Sequence, residues 1–380
     1  MSRPFRVLQM LPALESGGVE RGTLEMAHAL VQAGHRSLVM SGGGRLVKRL
    51  VEEGSEHYPW SVGRKSPWSL RLVPRLRRFL AEQRVDILHV RSRMPAWIAW
   101  LAWRGMDPRV RPRFITTVHG LYSVNRYSGV MTRGERVICV SETARDYVLN
   151  NYPGVDSARL RVIPRGVDPR AFPYGYRPPE AWYRDAPHLL ERHVLSMVGR
   201  LSRLKGHEDF IELISRLRAT GLNVHGLIVG GEEPGRAAYA RALRQRVVDL
   251  GLEDRVSFLG QRGDVREIYA ASDLVLSLSR RPESFGRTVL EALSLGVPVV
   301  GYAEGGVGEV LEKLYPVGKV AAGDLAAAEK RVSELLLRPE PVPRDHPFTL
   351  ARMVADTLKL YAELVGHGED DTGGRHERRG

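Results

Sequence analysis

Glu283 and Glu291 stand eight residues apart in Pro282-Glu-Ser-Phe-Gly-Arg-Thr-Val-Leu-Glu-Ala-Leu293. Pro282 disfavours regular strand pairing, which puts Glu283 in a loop at the carboxyl end of the apolar run 274–278. Gly286 then precedes a helical pattern over 287–295, with Val289, Leu290, Ala292 and Leu293 as its buried face and Gly296 as its stop. Backbone amides near Phe285, Gly286 and Arg287 can face a phosphate or a sugar oxygen there. Glu291, one to two turns inside that helix, offers a carboxylate that can hold both hydroxyls of a ribose. Upstream, Arg200 and Lys205 sit in Gly199-Arg-Leu-Ser-Arg-Leu-Lys-Gly206, just after another strand-like run. A guanidinium grips phosphate with two prongs and an ammonium is a compact point charge, so the pair suits a pyrophosphate. Taken together, acceptors for hydroxyls and cations for a diphosphate suit a nucleotide sugar. Either segment alone is also what a solvated surface would carry.

Two positions in the first half have related chemistry. Ser16-Gly17-Gly18-Val19-Glu20-Arg21 closes the first strand and opens the first helix, where glycines allow close backbone approach and free N–H groups favour anions. The spacing is not G-x-G-x-x-G, so a dinucleotide fold is not supported. Ser41-Gly42-Gly43-Gly44 reads as a turn. His119 ends the run Thr116-Thr-Val-His119, on the edge where open α/β sheets bind ligands, although a lone histidine there is also compatible with a structural role.

The elements that must position these groups alternate from end to end. Strand-like runs fall at 6–10, 37–40, 87–90, 114–118 and 137–140, then at 194–198, 226–229, 256–259, 274–278 and 297–301. Amphipathic helical stretches lie between them, the pattern of an α/β protein with parallel sheets. A chain of 380 residues reads most easily as two domains. The Pro-rich, aromatic-studded stretch from Ile163 to Pro187 has no helical period and reads as a linker, with the boundary near 165–190. The expected division is a first domain over 1–170, a second over 190–345, a final helix over 346–366 (helical pattern 349–365) that crosses back to the first domain, and a disordered tail over 367–380.

The composition, 43% apolar and 27% charged, is that of a globular protein. Cys139 is the only cysteine and reads as a buried small hydrophobe, fitting a reducing compartment. No cleavable signal pattern opens the chain, and no apolar run approaches the roughly 18–20 residues a spanning helix needs. The charge is one-sided: residues 1–165 carry 27 Lys/Arg against 13 Asp/Glu, whereas 166–380 carry 30 against 31. Within 60–114 there are 13 basic and three acidic residues together with Trp60, Trp68, Trp97, Trp100 and Trp103. Such a field attracts an anionic surface or partner, and aromatics beside arginine suit a lipid headgroup layer. The alternative is a solvated helix face over core tryptophans.

The motifs and their order resemble the retaining glycosyltransferases of family 4, over about residues 5–365. The resemblance is carried by Gly17-Gly18, Val118-His119-Gly120, Val140-Ser141, Ile163-Pro-Arg-Gly-Val-Asp168, Gly199-Arg200-Leu201 with Lys205-Gly206, and Glu283 with Glu291. Pro298-Val-Val and Glu304-Gly-Gly-Val-Gly-Glu309 extend it. It implies the α/β GT-B architecture: two Rossmann-like, doubly wound domains whose parallel sheets face an interdomain cleft. It further implies that Arg200 and Lys205 neutralise the diphosphate of the sugar donor, that Glu291 binds ribose and that Glu283 contacts the transferred sugar. Amides near Phe285, Gly286 and Arg287, and those of Gly17 and Gly18, would touch sugar or phosphate. His119 would lie by the anomeric carbon, and the loop at Gln261 and Arg262 would receive the base. No metal or other cofactor is implied, because protein cations stabilise the departing diphosphate. Two departures stand out. Arg165 occupies the usual Asn position before Gly-Val-Asp, a departure that bears on interdomain contacts. Leu314-Tyr-Pro-Val-Gly-Lys319 replaces the common Gly-Leu-Leu-Val segment, a departure that bears on the shape near the sugar donor.

The expected function is therefore transfer of a sugar, with retention, from a nucleoside diphosphate to a hydroxyl of a lipid-linked or lipopolysaccharide-type glycan. The expected place is the cytoplasm, peripheral on the inner face of an anionic membrane. Two other readings are a nucleotide-sugar epimerase of the same fold and a nucleic-acid-binding protein using the basic face. The chain shows no recurring basic–aromatic nucleic-acid module, so no nucleic-acid partner is expected.

Overall fold

A computed structural model of the chain describes residues 3–15, 17–184, 186–232 and 237–373. Ser16 lies outside the described residues. The chain forms two compact units, Met1–Pro164 with Leu350–Gly380, and Arg165–Thr349.

The first unit runs β1 (Arg6–Met10), α1 (Gly18–Gln32), β2 (Arg36–Ser41), α2 (Val47–Glu52), β3 (Glu56–Pro59), α3 (Leu72–Glu82), β4 (Ile87–Val90), α4 (Arg93–Arg104), β5 (Arg113–Val118), β6 (Arg136–Cys139), α5 (Glu142–Asn151) and β7 (Leu160–Val162). Its seven strands are parallel, in the order β3-β2-β1-β4-β5-β6-β7. Val7 lies opposite Ser37 on one side and Ile87 on the other, so the order reverses between β1 and β4, where doubly wound sheets bind ligands.

The second unit repeats that plan. It comprises β8 (His193–Val198), α6 (His207–Ala219), β9 (Val224–Val229), α7 (Ala237–Asp249), β10 (Val256–Gly260), α8 (Val265–Ala270), β11 (Leu274–Ser277), α9 (Arg287–Ser294), β12 (Val299–Tyr302), α10 (Gly305–Leu314), β13 (Lys319–Val320) and α11 (Leu325–Leu337). Its six parallel strands run β10-β9-β8-β11-β12-β13. The last helix, α12 (Leu350–Gly373), belongs to the first unit. Its Met353, Leu360, Tyr361 and Leu364 pack with Phe5, Val7, Met26, Leu30 and Ile87 in one core.

Polar groups within the first unit's sheet are hydrogen-bonded, as burial demands. Arg91 Nε donates to Gln9 Oε1 at 2.9 Å, and Gln9 Nε2 to the Thr23 carbonyl at 3.3 Å. His89 bridges the Tyr361 hydroxyl and Thr117 Oγ1, each at 2.6 Å, which ties α12 to β4 and β5. Cys139 is buried, and burial pushes its thiol up to about 12, leaving it unreactive at neutral pH.

Three expectations change. The stretch after residue 164 is docked onto the second unit and is not a bare linker. Trp182, Tyr183 and Ala186 pack against Leu189, Val194, Leu227, Val229 and Ile268. Tyr174 and Tyr176 donate to the Val342 carbonyl (2.9 Å) and Glu267 (3.1 Å). Aromatic side chains bury wherever apolar surface is offered, whether or not their backbone is periodic. Secondly, α12 continues to Gly373, through the start of the stretch expected to be disordered, because extending an existing helix needs no new nucleus; residues 374–380 lie outside the described residues. Thirdly, four of the five tryptophans in the basic window are packed. Trp60 is buried, Trp97 and Trp103 donate to the Tyr127 and Pro112 carbonyls (2.9 and 2.8 Å), and Trp100 lies edge-on to Trp97. Only Trp68 among them is exposed, at 67%.

Candidate active site

The chemistry-bearing residues of the second unit gather at the carboxyl ends of β8 and β11. Lys205 closes a single 3-10 turn (Arg203–Lys205) after β8, and Gly206 behind it takes φ +77°. A Cβ on Gly206 would stand 1.9 Å from the Leu278 carbonyl oxygen, so the turn presses directly on the end of β11. That contact carries Lys205 to the Pro282–Gly286 loop. Lys205 Nζ donates to Glu283 Oε1 at 2.7 Å, and Ser279 Oγ donates to the same oxygen. The Glu283 carbonyl accepts from Gly306 N at 2.7 Å, which fixes the loop to the start of α10.

Burial alone would raise the Glu283 carboxyl. The adjoining Lys205 charge and the hydrogen bonds from Lys205 and Ser279 outweigh it and hold the group below the usual carboxylate range. Glu283 is thus an anion at neutral pH, able to accept from a hydroxyl but not to donate a proton as a general acid. Its side chain is 23% exposed and that of Lys205 25%, so solvent reaches both.

Gly286 takes φ +86° immediately before α9, where a Cβ would meet Val307 Cγ2 at 2.9 Å. No side chain caps this helix start. Glu291, inside α9, is buried at 3% and accepts from Arg287 Nε at 3.0 Å and from the Tyr269 hydroxyl at 3.4 Å. Arg287 therefore serves first as the counter-ion of Glu291. Arg262 is exposed and forms a two-pronged pair with Asp264 (2.8 and 2.6 Å). That pair, then a hydrogen bond from Trp182, drives the Asp264 carboxyl far below its ordinary value despite opposing desolvation. Arg200 lies exposed after β8.

The other expected residues belong to the first unit. His119 is half-buried directly after β5. Gly17 caps α1 in an extended conformation with no side-chain cap, and Gly18 has open space where a Cβ would project. A Cβ on Gly17 would meet Glu20 Oε2 at 2.3 Å, so this carboxylate already lies over the amino end of the helix. Sequence reasoning missed Ser279, Tyr269, and the Asp264 and Trp182 that hold Arg262 in place. A small polar residue at a strand end and a tyrosine in a short helix carry no periodic signal. Among the described residues no cluster of His, Cys, Asp and Glu could hold a metal ion, and no helix is long and apolar enough to cross a membrane.

Comparison with known proteins agrees on one class. The family described as Glycosyltransferase Family 4 matches residues 16–171, and Glycosyl transferases group 1 matches 180–345. N-acetyl-alpha-D-glucosaminyl L-malate synthase of Bacillus anthracis is 28% identical over 67% of this chain and 66% of its own length. The chain spans 57–58% of the next two curated relatives. Among solved structures, a glycosyltransferase from Rickettsia africae superposes with a TM-score of 0.81 at 28% identity, covering 96% of this chain and 99% of the other. An Anabaena protein in complex with UDP-glucose superposes at 0.73 and 21% identity, covering 97% and 99%. The fold of both units is GT-B.

Proposed function

The chain belongs with the glycosyltransferases of the family 4 type, and from that premise we propose that it moves a hexose-like sugar from a nucleoside diphosphate to a hydroxyl acceptor with retention at the anomeric carbon. The observation that carries this reading is the Lys205–Glu283–Ser279 cluster, a solvent-reachable cation and anion at the carboxyl edge of the second sheet. In it, Lys205 and Arg200 neutralise the diphosphate, Glu283 accepts from a hydroxyl of the sugar, and the uncapped start of α9 at Phe285, Gly286 and Arg287 supplies amides. Glu291, held by Arg287 and Tyr269, is the ribose acceptor through the oxygen lone pairs those partners leave. Arg262 borders the base. Gly17, Gly18 and His119, after β1 and β5, are the first unit's own candidates for contact with phosphate and sugar. The acceptor hydroxyl attacks the anomeric carbon from the face the diphosphate leaves; its proton passes to the departing phosphate oxygen as the glycosidic bond to that oxygen breaks.

The UDP-glucose bound to the Anabaena structure supports a nucleoside-diphosphate sugar as the ligand class. The surplus of cations in residues 1–165 supports an acceptor that is anionic or lipid-linked, as in a lipopolysaccharide-type glycan, met at the inner face of the cytoplasmic membrane. Lys205 and Arg200 stand in for a divalent ion, so turnover in excess EDTA equals turnover without it. A thermal-shift screen of nucleoside diphosphates and their sugars tests the premise: the true ligand at a hundred times its Kd stabilises by about 2.7 kcal/mol. Lys205→Ala lowers turnover of that sugar donor by about two orders of magnitude, as loss of one charge-stabilising group does. Turnover within severalfold of the unmodified chain would reject the site. The anomeric configuration of the product, read by proton NMR, tests retention.

A further inference from the structure

Residues 60–81 contain six Lys/Arg and no Asp/Glu. A 3-10 turn, Pro67–Arg71, leads straight into α3, whose Leu76, Phe79 and Leu80 turn inward. Phe79 packs edge-on against Tyr58 and Trp60, with ring centroids 4.7 and 5.6 Å apart. The opposite side is different. Trp68 and Leu70 are 67% and 55% exposed, and Arg71, Arg75 and Arg78 are exposed beside them. Residues 68, 71, 75 and 78 recur at helical spacing, so they form one stripe along the turn and the helix.

The stripe is braced from beneath. Ser66 Oγ accepts from Trp68 N at 3.3 Å, Ser69 Oγ donates to the Arg64 carbonyl at 2.8 Å, and Ser69 N donates to the Ser66 carbonyl at 3.0 Å. The Arg71 guanidinium lies 4.1 Å from the Trp68 ring, while Arg75 lies 4.2 Å from that of Trp60. None of the salt bridges among the described residues involves Arg64, Lys65, Arg71, Arg75 or Arg78. Five cations with no acidic partner, together with an indole and a leucine open to water, form a surface with its own chemical demand.

We infer that this surface, made of the stripe and the exposed Arg64, Lys65 and Leu70 flanking it, docks the chain on an anionic lipid bilayer, with Trp68 and Leu70 entering the boundary between headgroups and acyl chains while Arg64, Lys65, Arg71, Arg75 and Arg78 meet the lipid phosphates. Long basic side chains lay their stems along apolar surface and keep their charge at the phosphate level, and an indole is at home in the same layer. A nucleic-acid backbone would use the cations but has no place for Leu70, and one exposed ring makes no run of stacking platforms. The surface argument stands independently of the transferase reading, which supplies only the reason a lipid-borne acceptor would be met there.

The test is co-sedimentation of the full chain with vesicles of phosphatidylcholine alone and of phosphatidylcholine with phosphatidylglycerol, across a salt series. The chain is expected to partition onto the anionic vesicles, more weakly as salt rises. Arg71→Glu/Arg75→Glu/Arg78→Glu and Trp68→Ala/Leu70→Ala should each lower that partition at least about tenfold. Both variants alter exposed positions, and nucleotide-sugar stabilisation of each should match the unmodified chain. Equal binding to neutral vesicles, or partition unchanged in both variants, would overturn the inference. So would preferential capture of single-stranded nucleic acid, or self-association that the same substitutions abolish. If the unmodified chain fails to bind anionic vesicles although nucleotide sugars stabilise it, the docking surface alone is rejected; if it binds them but no nucleotide sugar stabilises it, the transferase reading alone is rejected.

Discussion

Lys205 and Glu283 lie 78 residues apart in the chain and 2.7 Å apart in the fold, each partly shielded from water. Removing Lys205 leaves the partly shielded Glu283 with only the Ser279 hydroxyl, and neutralising Glu283 leaves the Lys205 charge without its counter-ion, each at a cost of about 1–3 kcal/mol. Lys205→Ala and Glu283→Gln should therefore each lower the thermal midpoint, and the double variant should lose less than the two single losses added. A double-mutant cycle by thermal melting measures that coupling; strict additivity would mean that the pair contributes nothing. The residue types were legible from sequence, because Gly and Pro punctuation isolates Glu283 and a strand end precedes Lys205. Their partnership was not legible. It depends on Gly206 letting one loop press on the end of another strand, and the sequence offers no register between loops 78 residues apart. Ser279 illustrates the same limit: only the fold turns its hydroxyl onto Glu283.

At the scale of elements, α12 is tied to the first sheet by one buried hydrogen bond as well as by packing. Tyr361 is fully buried and its hydroxyl meets His89 Nδ1 at 2.6 Å. Tyr361→Phe keeps the ring and removes that hydroxyl, leaving one ring nitrogen of a buried histidine without it, at a cost of about 1–3 kcal/mol. Denaturant melting followed by a probe in the first unit should show the loss; an unchanged midpoint would mean the hydrogen bond is energetically idle. Central strands such as β1, β4 and β8 were legible because strands buried on both faces read as unbroken apolar runs. The edge strands β3, β7 and β13 were not. Glu56–Pro59 mixes charge, aromatic and proline, and Lys319–Val320 is two residues long. Strand identity there comes from a neighbour's unpaired backbone, not from local pattern.

For the whole molecule, the pH response is set by buried bases in the second unit as much as by its carboxylates. Burial pushes His207 and His225 down from 6.5 to about 4. Between those values the unfolded chain binds protons that the folded unit refuses, so stability is fully present above about 6.5 and is lost as pH falls toward 4. For the fully buried His207 the shift corresponds to about 3 kcal/mol. Melting from pH 7 to 4 should thus show a steep fall that His207→Gln flattens; an equal slope in the variant would refute it. Below that window Glu283, with its lowered pKa, adds a further loss as it protonates. Residues 1–165 carry 27 Lys/Arg against 13 Asp/Glu, a net +14, and the rest of the chain a net −1, so the positive field belongs to the first part of the chain. By itself the sequence determined the alternation of central strands and helices, the two-part division, the one-sided charge and the kinds of residue available for chemistry. These follow from composition and period, which are local. Only the tertiary structure decided that 165–187 docks on the second unit, which tryptophan faces water and which acid meets which base. Each of those depends on atoms far apart in the chain coming within a few ångströms, and no local pattern encodes that.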